Sequence, residues 1–286
     1  MAQIFLNDRF LPADQACISP LDRGFVFGDG VYEVIPAYGG RLFRLEEHLR
    51  RLTDSLTAIR MTAPFAADRW QQILNELLHR NGGGDQAVYL QITRGVAPRD
   101  HLIPAGIPPT IFAMSNPIKP VAEQLRAQGI SAVVLDDIRW QYCHIKAITL
   151  LPNVLLRQQA LELGADEALL MRDGLITEGT ACNVFIVKDG QLLTPPKSQW
   201  LLPGITRDLI LELAQTHDIP HRQCDIASSD LRTADEIWVT SSTREIVAVT
   251  RLDNQTVGNG QPSPLYHRMS MIFQDYKQAC RDGRAS

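Results

Sequence analysis

The chain has 286 residues, 45% hydrophobic and 21% charged. That is enough for two cores and typical of a globular enzyme, which excludes a disordered or fibrous chain. Its formal net charge of −4 carries no block of like charges, so neither nucleic acid nor an anionic membrane surface is an expected partner.

No apolar run reaches bilayer-spanning length. The opening Met1-Ala2-Gln3-Ile4-Phe5-Leu6-Asn7-Asp8 lacks the basic region and long apolar core of a signal peptide. The five cysteines, Cys17, Cys143, Cys182, Cys224 and Cys280, are an odd number without CxxC or Cys/His spacing. Reduced thiols in a cytoplasmic protein are expected, with no metal site.

Residues 3–11 predict a hairpin around Asn7-Asp8. Ser19 to Gly24 has loop chemistry. Phe25-Val26-Phe27-Gly28-Asp29-Gly30 leads into a strand, Val31 to Ile35, and Gly39-Gly40 marks the next turn. Gly28-x-Gly30 lacks the following helix that a dinucleotide site requires.

Leu45, Leu49, Leu52, Leu56 and Ile59 have helical spacing, and Glu46 and Glu47 suit the first turn of that helix. Periodicity by itself leaves Arg50 and Arg51 on its solvated face. A second helix covers about Ala67 to His79 and stops at Asn81-Gly82-Gly83-Gly84. Strands are predicted over Gln86 to Thr93 and Thr110 to Met114.

Residues 1–115 therefore form a smaller N-terminal α+β domain with mostly antiparallel strands. A Pro-bearing linker with helical pieces covers 116–129, and a larger C-terminal domain covers 130–286. In that second part the pattern gives strands over Ser131 to Ile138, Ala168 to Met171, Asn183 to Val187, Glu236 to Thr240 and Val247 to Thr250. Helices are predicted over about Pro152 to Leu163, Gly204 to Leu213 and Pro264 to Ala279. Asp173-Gly174 and Asp189-Gly190 are hairpin signals.

Lys146 stands between the first of those strands and the first of those helices, and Thr177-Glu178-Gly179 closes a hairpin further on. Lysines are most often solvated loop residues. Here, however, two anion-binding stretches occur in the same half of the chain. Gly204-Ile205-Thr206 opens a helix, where free amides and the dipole favour a phosphate. Ser241-Ser242-Thr243 is a hydroxyl-rich turn after a buried strand. With a Schiff-base lysine, these outline a phosphorylated aldehyde cofactor. Cys143, close to Lys146, has no base–orienter pair beside it.

The ordered motifs resemble those of fold-type IV, class IV pyridoxal-phosphate aminotransferases, most closely the bacterial D-amino acid branch. They run from Asp22-Arg23-Gly24-Phe25 through Gly30-Val31-Tyr32-Glu33 and Glu47-His48-Leu49-Arg50-Arg51. They continue in Thr93-Arg94-Gly95 with Arg99-Asp100-His101, then in Ile145-Lys146, Thr177-Glu178-Gly179, Gly204-Ile205-Thr206-Arg207 and Thr240-Ser241-Ser242-Thr243-Arg244.

The resemblance implies a two-domain α+β fold and pyridoxal 5'-phosphate as cofactor. Lys146 would carry that cofactor and move the substrate α-proton, and Glu178 would meet its ring nitrogen. Leu202 would pack on the ring. Arg51, the Ile205 and Thr206 amides, the Thr206 hydroxyl, and Ser241 and Ser242 would hold the phosphate. Tyr32, Arg99 and His101 would trap the substrate α-carboxylate, the last two reaching across from the second subunit of a homodimer.

Amino acids and 2-oxo acids are the implied partners, and D-alanine to 2-oxoglutarate is the implied transfer. Rival readings within the fold are a branched-chain L-amino acid aminotransferase, an (R)-amine aminotransferase and an aminodeoxychorismate lyase, which are expected to lack Arg99-x-His101. A cofactor-free binding or regulatory protein is the rival outside it. Thr180-Ala181-Cys182 departs from the serine-rich run of the family, and His144 stands where an acidic residue is common.

Overall fold

In the computed structural model, which describes residues 2–284, β1 (Gln3–Leu6) and β2 (Arg9–Pro12) pair about Asn7 and Asp8. Both turn residues have positive φ, 45° and 67°, as a two-residue hairpin turn of matching twist requires. The glycine-bearing stretch read as loop contains a short helix, α1 (Arg23–Phe27). The Asp22 side chain caps it by accepting from the Gly24 N–H at 2.8 Å, and Gly28 closes it at φ 66°. Five residues are too few to generate a helical period, so capping chemistry was its only signal.

The first unit continues through β3 (Gly30–Tyr38), β4 (Arg41–Leu42), α2 (Leu45–Ala58), α3 (Ala67–Arg80), β5 (Gln86–Thr93) and β6 (Thr110–Pro117). Its six strands are ordered β2-β1-β6-β5-β3-β4, every neighbour antiparallel. Alternation along β3 and β5 sends Val31, Ile35, Val88, Leu90 and Ile92 into a core. The apolar stripes of α2 and α3, among them Leu52, Leu56, Leu74 and Leu77, belong to the same cluster. Truncating any one of these buried leucines to alanine costs about 2–5 kcal/mol.

This unit also contains Ile145–Thr149 and residues 277–284, although the sequence pattern assigns both to the C-terminal domain. The reason is an open strand edge. β3 has β5 along one side, whereas β4 covers only Ala37 and Tyr38 on the other. The segment around Lys146 fills that edge: Val31 bridges Ala147, the Tyr32 N–H donates to Lys146 O at 2.9 Å, and the Ile148 N–H donates to Gly30 O at 3.1 Å.

The second unit contains α4 (Glu123–Gln128), β7 (Ile130–Asp136), α5 (Leu151–Glu162), β8 (Glu167–Arg172), β9 (Leu175–Gly179), β10 (Asn183–Lys188) and β11 (Gln191–Thr194). It continues with α6 (Ile205–Thr216), β12 (His221–Gln223), α7 (Ser228–Arg232), β13 (Glu236–Ser241), β14 (Glu245–Leu252), β15 (Gln255–Thr256) and the start of α8 (Pro264–Arg281). The sheet order is β12-β11-β10-β13-β14-β7-β8-β9, with β15 added to β14. Neighbours are parallel at β11/β12, β14/β7 and β7/β8 and antiparallel elsewhere. Val184, Ile186, Ile237, Val239, Val247 and Val249 centre one core, and α5 closes another over Val133, Ala168 and Leu170. The arrangement is α+β, with two separate sheets. Among the described residues no helix is long and apolar enough to cross a membrane.

Candidate active site

Lys146 is fixed through its backbone. Its own N–H donates to Ser55 Oγ at 3.2 Å, and its carbonyl accepts from Tyr32 at 2.9 Å. Ile145 and Ala147 are buried in the core of the first unit, so strand alternation turns Lys146 to the opposite face. There its Nζ lies 4.2 Å from the centroid of the Tyr32 ring. Tyr32 in turn stacks on Tyr89 at 5.5 Å and 27°. Burial, with Tyr32 adding to it, pushes the Tyr89 hydroxyl up to about 12, and its O–H donates to Gln91 Oε1 at 2.7 Å. The predicted lysine and tyrosine therefore share one face of one strand edge.

On the other face of β3, the period that buries Val31 and Ile35 also buries Glu33, which is 0% exposed. A carboxylate there requires partners, and α2 supplies two, three residues apart. Arg51 donates Nε to Glu33 Oε1 at 2.8 Å and Nη2 to Oε2 at 2.7 Å, and His48 Nδ1 lies 2.8 Å from Oε2. Burial works to raise the Glu33 carboxyl, but the Arg51 guanidinium and the His48 bond hold it down at about 2. Burial lowers His48, outweighing the bond to Glu33, and so favours its neutral form. Arg51 is buried while Arg50 is exposed, so the solvated face that periodicity gave both holds for Arg50 alone. Sequence reasoning gave Glu33 and His48 no role, although both lie within the family motifs. A glutamate at an inward position of an apolar strand was the available signal.

Arg99 and His101 lie in the long connection from β5 to β6, both exposed. They meet at Phe27, the last residue of α1: Arg99 Cζ is 5.2 Å from the ring centroid and the His101 ring is 5.3 Å away. Arg23 and Arg94 share Asp29 on the adjoining turn, each with an Nε bond of 2.8 Å to Oδ2. Burial raises the Asp29 carboxyl, but Arg94 and Arg23 together hold it below the usual carboxylate range.

In the second unit, Glu178 on β9 is buried. It is ion-paired to Arg139 Nη1 and accepts at Oε2 from the Leu202 N–H at 3.1 Å and Asn183 Nδ2 at 3.2 Å. Burial pushes its carboxyl above the usual range, with Arg139 and then the Leu202 amide opposing. Arg139 also forks onto Asp137 through Nε and Nη2, each at 2.9 Å. Burial disfavours the Arg139 charge, but Asp137 and Glu178 hold the guanidinium protonated. A carboxyl of raised proton affinity, fixed from three sides, suits a hydrogen bond to a protonated ring nitrogen. Sequence reasoning gave Arg139 and Asn183 no role, although Asp137-Ile138-Arg139-Trp140 and Asn183-Val184-Phe185 match family motifs, and the Asp137-x-Arg139 pattern was the local sign of the first.

Asn183 links this carboxyl to the start of α6. Its Nδ2 donates also to Leu202 O at 2.9 Å. The cap of α6 is Gly204, with no side-chain capping bond, so the first amides of a twelve-residue helix are not capped from within. A Cβ at Gly204 would sit 1.9 Å from Asn183 Oδ1, which holds the backbone at the helix entrance close and bare. Ile205 and Thr206 are buried beside it, and Leu202 is half-buried. Asn183 pairs in register with Thr240, whose Oγ1 is buried without a hydrogen-bond partner among the described residues. Next along the chain, Ser241 Oγ accepts from the Arg244 N–H at 3.3 Å and Ser242 follows. Uncapped helix amides, an orphaned hydroxyl and a serine turn form a donor set suited to a phosphate ester.

Two neighbours of Lys146 in sequence fall in the second unit. Burial raises the Cys143 thiol to about 11, the opposite of an activated nucleophile. His144 Nδ1 is buried and makes no hydrogen bond among the described residues, and nothing in the structure explains it.

The model of the family Amino-transferase class IV matches residues 30–252. The chain is 40% identical over 274 residues to D-alanine aminotransferase of Bacillus licheniformis, covering 96% of each chain. It is 36% identical over 277 residues to D-alanine aminotransferase of Staphylococcus haemolyticus, covering 96% of this chain and 98% of that one. Among solved structures it is similar to the T.th. branched-chain amino acid aminotransferase with pyridoxamine 5'-phosphate. The TM-score there is 0.92 at 25% identity, over 99% of this chain and 95% of the other. The branched-chain enzyme of Escherichia coli gives a TM-score of 0.88 at 26% identity, over 100% and 96%.

Proposed function

Because the chain belongs to the class IV aminotransferases, a pyridoxal-phosphate-dependent family, we propose that it transfers the amino group of a D-amino acid to a 2-oxo acid. D-alanine and 2-oxoglutarate are the proposed pair, giving pyruvate and D-glutamate in a ping-pong reaction. The observation that carries this reading is the convergence of Arg99 and His101 on Phe27. An arginine fork and an imidazole brought together are carboxylate-binding chemistry. The 35–40% identity to D-alanine aminotransferases supports it further.

The cofactor supplies an electron sink for the bonding electrons left at the substrate α-carbon. Its fit to this chain rests on the uncapped α6 amides, the bare Gly204 backbone and the Thr240 hydroxyl. Lys146 is its proposed attachment point, Glu178 the partner of its ring nitrogen and Leu202 the apolar contact to its ring. Ile205, Thr206, Ser241, Ser242 and Arg51 are the proposed phosphate ligands. The Glu33 pair fixes the Arg51 guanidinium in one orientation. Lys146 Nζ takes the α-proton of the donor amino acid and, in the return half-reaction, delivers a proton to the α-carbon of the product amino acid. Tyr32, Arg99 and His101 hold the α-carboxylate. Carboxylate binding on one side decides which enantiomer presents its α-hydrogen to Lys146, and so the hand of the substrate.

The proposed assembly is a homodimer in which Arg99 and His101 complete the partner's site. Phe25 and Leu102, in the segments that carry Phe27 and His101, are 79% and 77% exposed, an apolar rim suited to burial against a second copy. In the second unit α5 likewise exposes Leu151, Val154 and Leu155. A cytoplasmic location is supported by the free thiols of Cys17, Cys143, Cys182 and Cys224.

Purified protein given D-alanine, L-leucine or (R)-1-phenylethylamine, each with 2-oxoglutarate, should turn over D-alanine fastest. Turnover confined to L-leucine overturns the proposal in favour of a branched-chain L-amino acid enzyme.

A further inference from the structure

Arg99 and His101 are exposed loop residues with no hydrogen bond or ion pair among the described residues. An exposed arginine on a loop samples many rotamers, yet carboxylate capture needs one. Both contact Phe27: Arg99 Cζ is 5.2 Å from the ring centroid, and the His101 ring is 5.3 Å away and tilted by 44°. A third group, the Arg23 guanidinium, lies 4.7 Å from the same centroid. That guanidinium ties the platform to the loop, because its Nη1 donates to Asp100 O at 2.6 Å, between the two residues in question. Its Nε is held by Asp29, which Arg94 holds in turn.

The platform itself is clamped. Asp22 caps α1 and accepts from Thr110 Oγ1 at 2.6 Å, the Arg23 N–H donates to Gly95 O at 2.9 Å, and Gly28 ends the helix in the left-handed region. We propose that Phe27 is a positioning residue for substrate recognition. Its ring preorients Arg99 and His101 on a rigid helix end, so that both meet the α-carboxylate without first losing rotamer freedom. This rests on the carboxylate-binding role proposed for that pair.

Three variants of the holoenzyme separate the possibilities: Phe27→Leu, which keeps apolar contact but removes the ring, Phe27→Tyr, which keeps the ring, and Arg99→Ala. D-alanine and D-alaninol, which lacks the carboxylate, are compared in single half-reactions followed by cofactor absorbance, with steady-state kinetics for D-alanine. In Phe27→Leu the KM for D-alanine should rise roughly 3- to 10-fold, the scale of one or two lost cation–π contacts. Its kcat should stay within about twofold and its D-alaninol rate unchanged, since neither depends on a cation–π contact. Phe27→Tyr should restore the wild-type KM.

Wild-type kinetics in Phe27→Leu, beside a damaged Arg99→Ala, overturns the positioning role and leaves the carboxylate reading intact. Parallel loss with both donors, or loss also in Phe27→Tyr, makes Phe27 merely structural and overturns it too. An undamaged Arg99→Ala sinks the carboxylate reading itself, and the inference with it.

Discussion

Replacing Glu33 by glutamine tests how α2 and β3 are joined beneath the Lys146 edge. The carboxylate is fully buried and accepts two bonds from Arg51 and one from His48. A glutamine of the same shape has one accepting oxygen and an NH2 that opposes donors. Even if His48 changes tautomer to accept from that amide, the Arg51 fork loses one of its two bonds to residue 33, and its buried charge loses the carboxylate that both bonds now meet. The carboxyl is held at about 2 against an ordinary 4.5. At about 1.4 kcal/mol per pH unit, this corresponds to about 3 kcal/mol of folded-state stabilisation. Breaking a buried pair by removing one partner typically costs about 3–5 kcal/mol, so the two routes agree.

The sign follows from the lowered carboxyl: the contribution is complete above about pH 4.5 and is lost as pH falls towards 2. Cofactor-free Glu33→Gln should therefore melt about 6–12 °C below wild type at pH 7, and its stability should fall less steeply than wild type between pH 4.5 and 2. Urea and thermal denaturation across that range provide the measurement. A variant within about 1 kcal/mol of wild type at pH 7, below the least expected for a broken buried pair, with an unchanged acid limb, would refute the reasoning.

Lys146→Ala should lack the near-visible absorbance band expected of the wild-type protein with cofactor attached to Lys146, and lose at least about 100-fold in turnover, while its thermal midpoint stays near wild type because the segment's backbone bonds remain; spectra and calorimetry decide it. Glu178→Gln should lower kcat for D-alanine about 100-fold with a smaller change in KM, and an equal rise of KM with kcat intact would count against a role at the reacting centre. Gly204→Ala drives a Cβ to 1.9 Å from Asn183 Oδ1, so about 1–3 kcal/mol of stability should be lost and pyridoxal phosphate should bind more weakly by fluorescence titration.

Local pattern determined much of this protein. Short-range chemistry made the Asn7-Asp8 hairpin, the helical stripes of α2 and α3 and the alternation of β5 legible, because propensity and period act within a few residues. Local chemistry by itself outlined Lys146, Glu178 and the anion-binding stretches at Gly204-Ile205-Thr206 and Ser241-Ser242-Thr243, whereas Tyr32, Arg51, Arg99, His101 and Leu202 were legible as chemistry only through family motifs. Tertiary structure decided the rest. The Lys146 segment lies in the first unit because the open edge of β3 accepts it, a pairing between distant residues that no local window contains. Arg51 was a surface residue by period and became a buried partner once Glu33 faced α2. Arg139 gained its meaning from bridging Asp137 and Glu178, and Phe27 from gathering Arg23, Arg99 and His101. Each depends on desolvation and on charges brought together by folding, which are properties of neighbours in space.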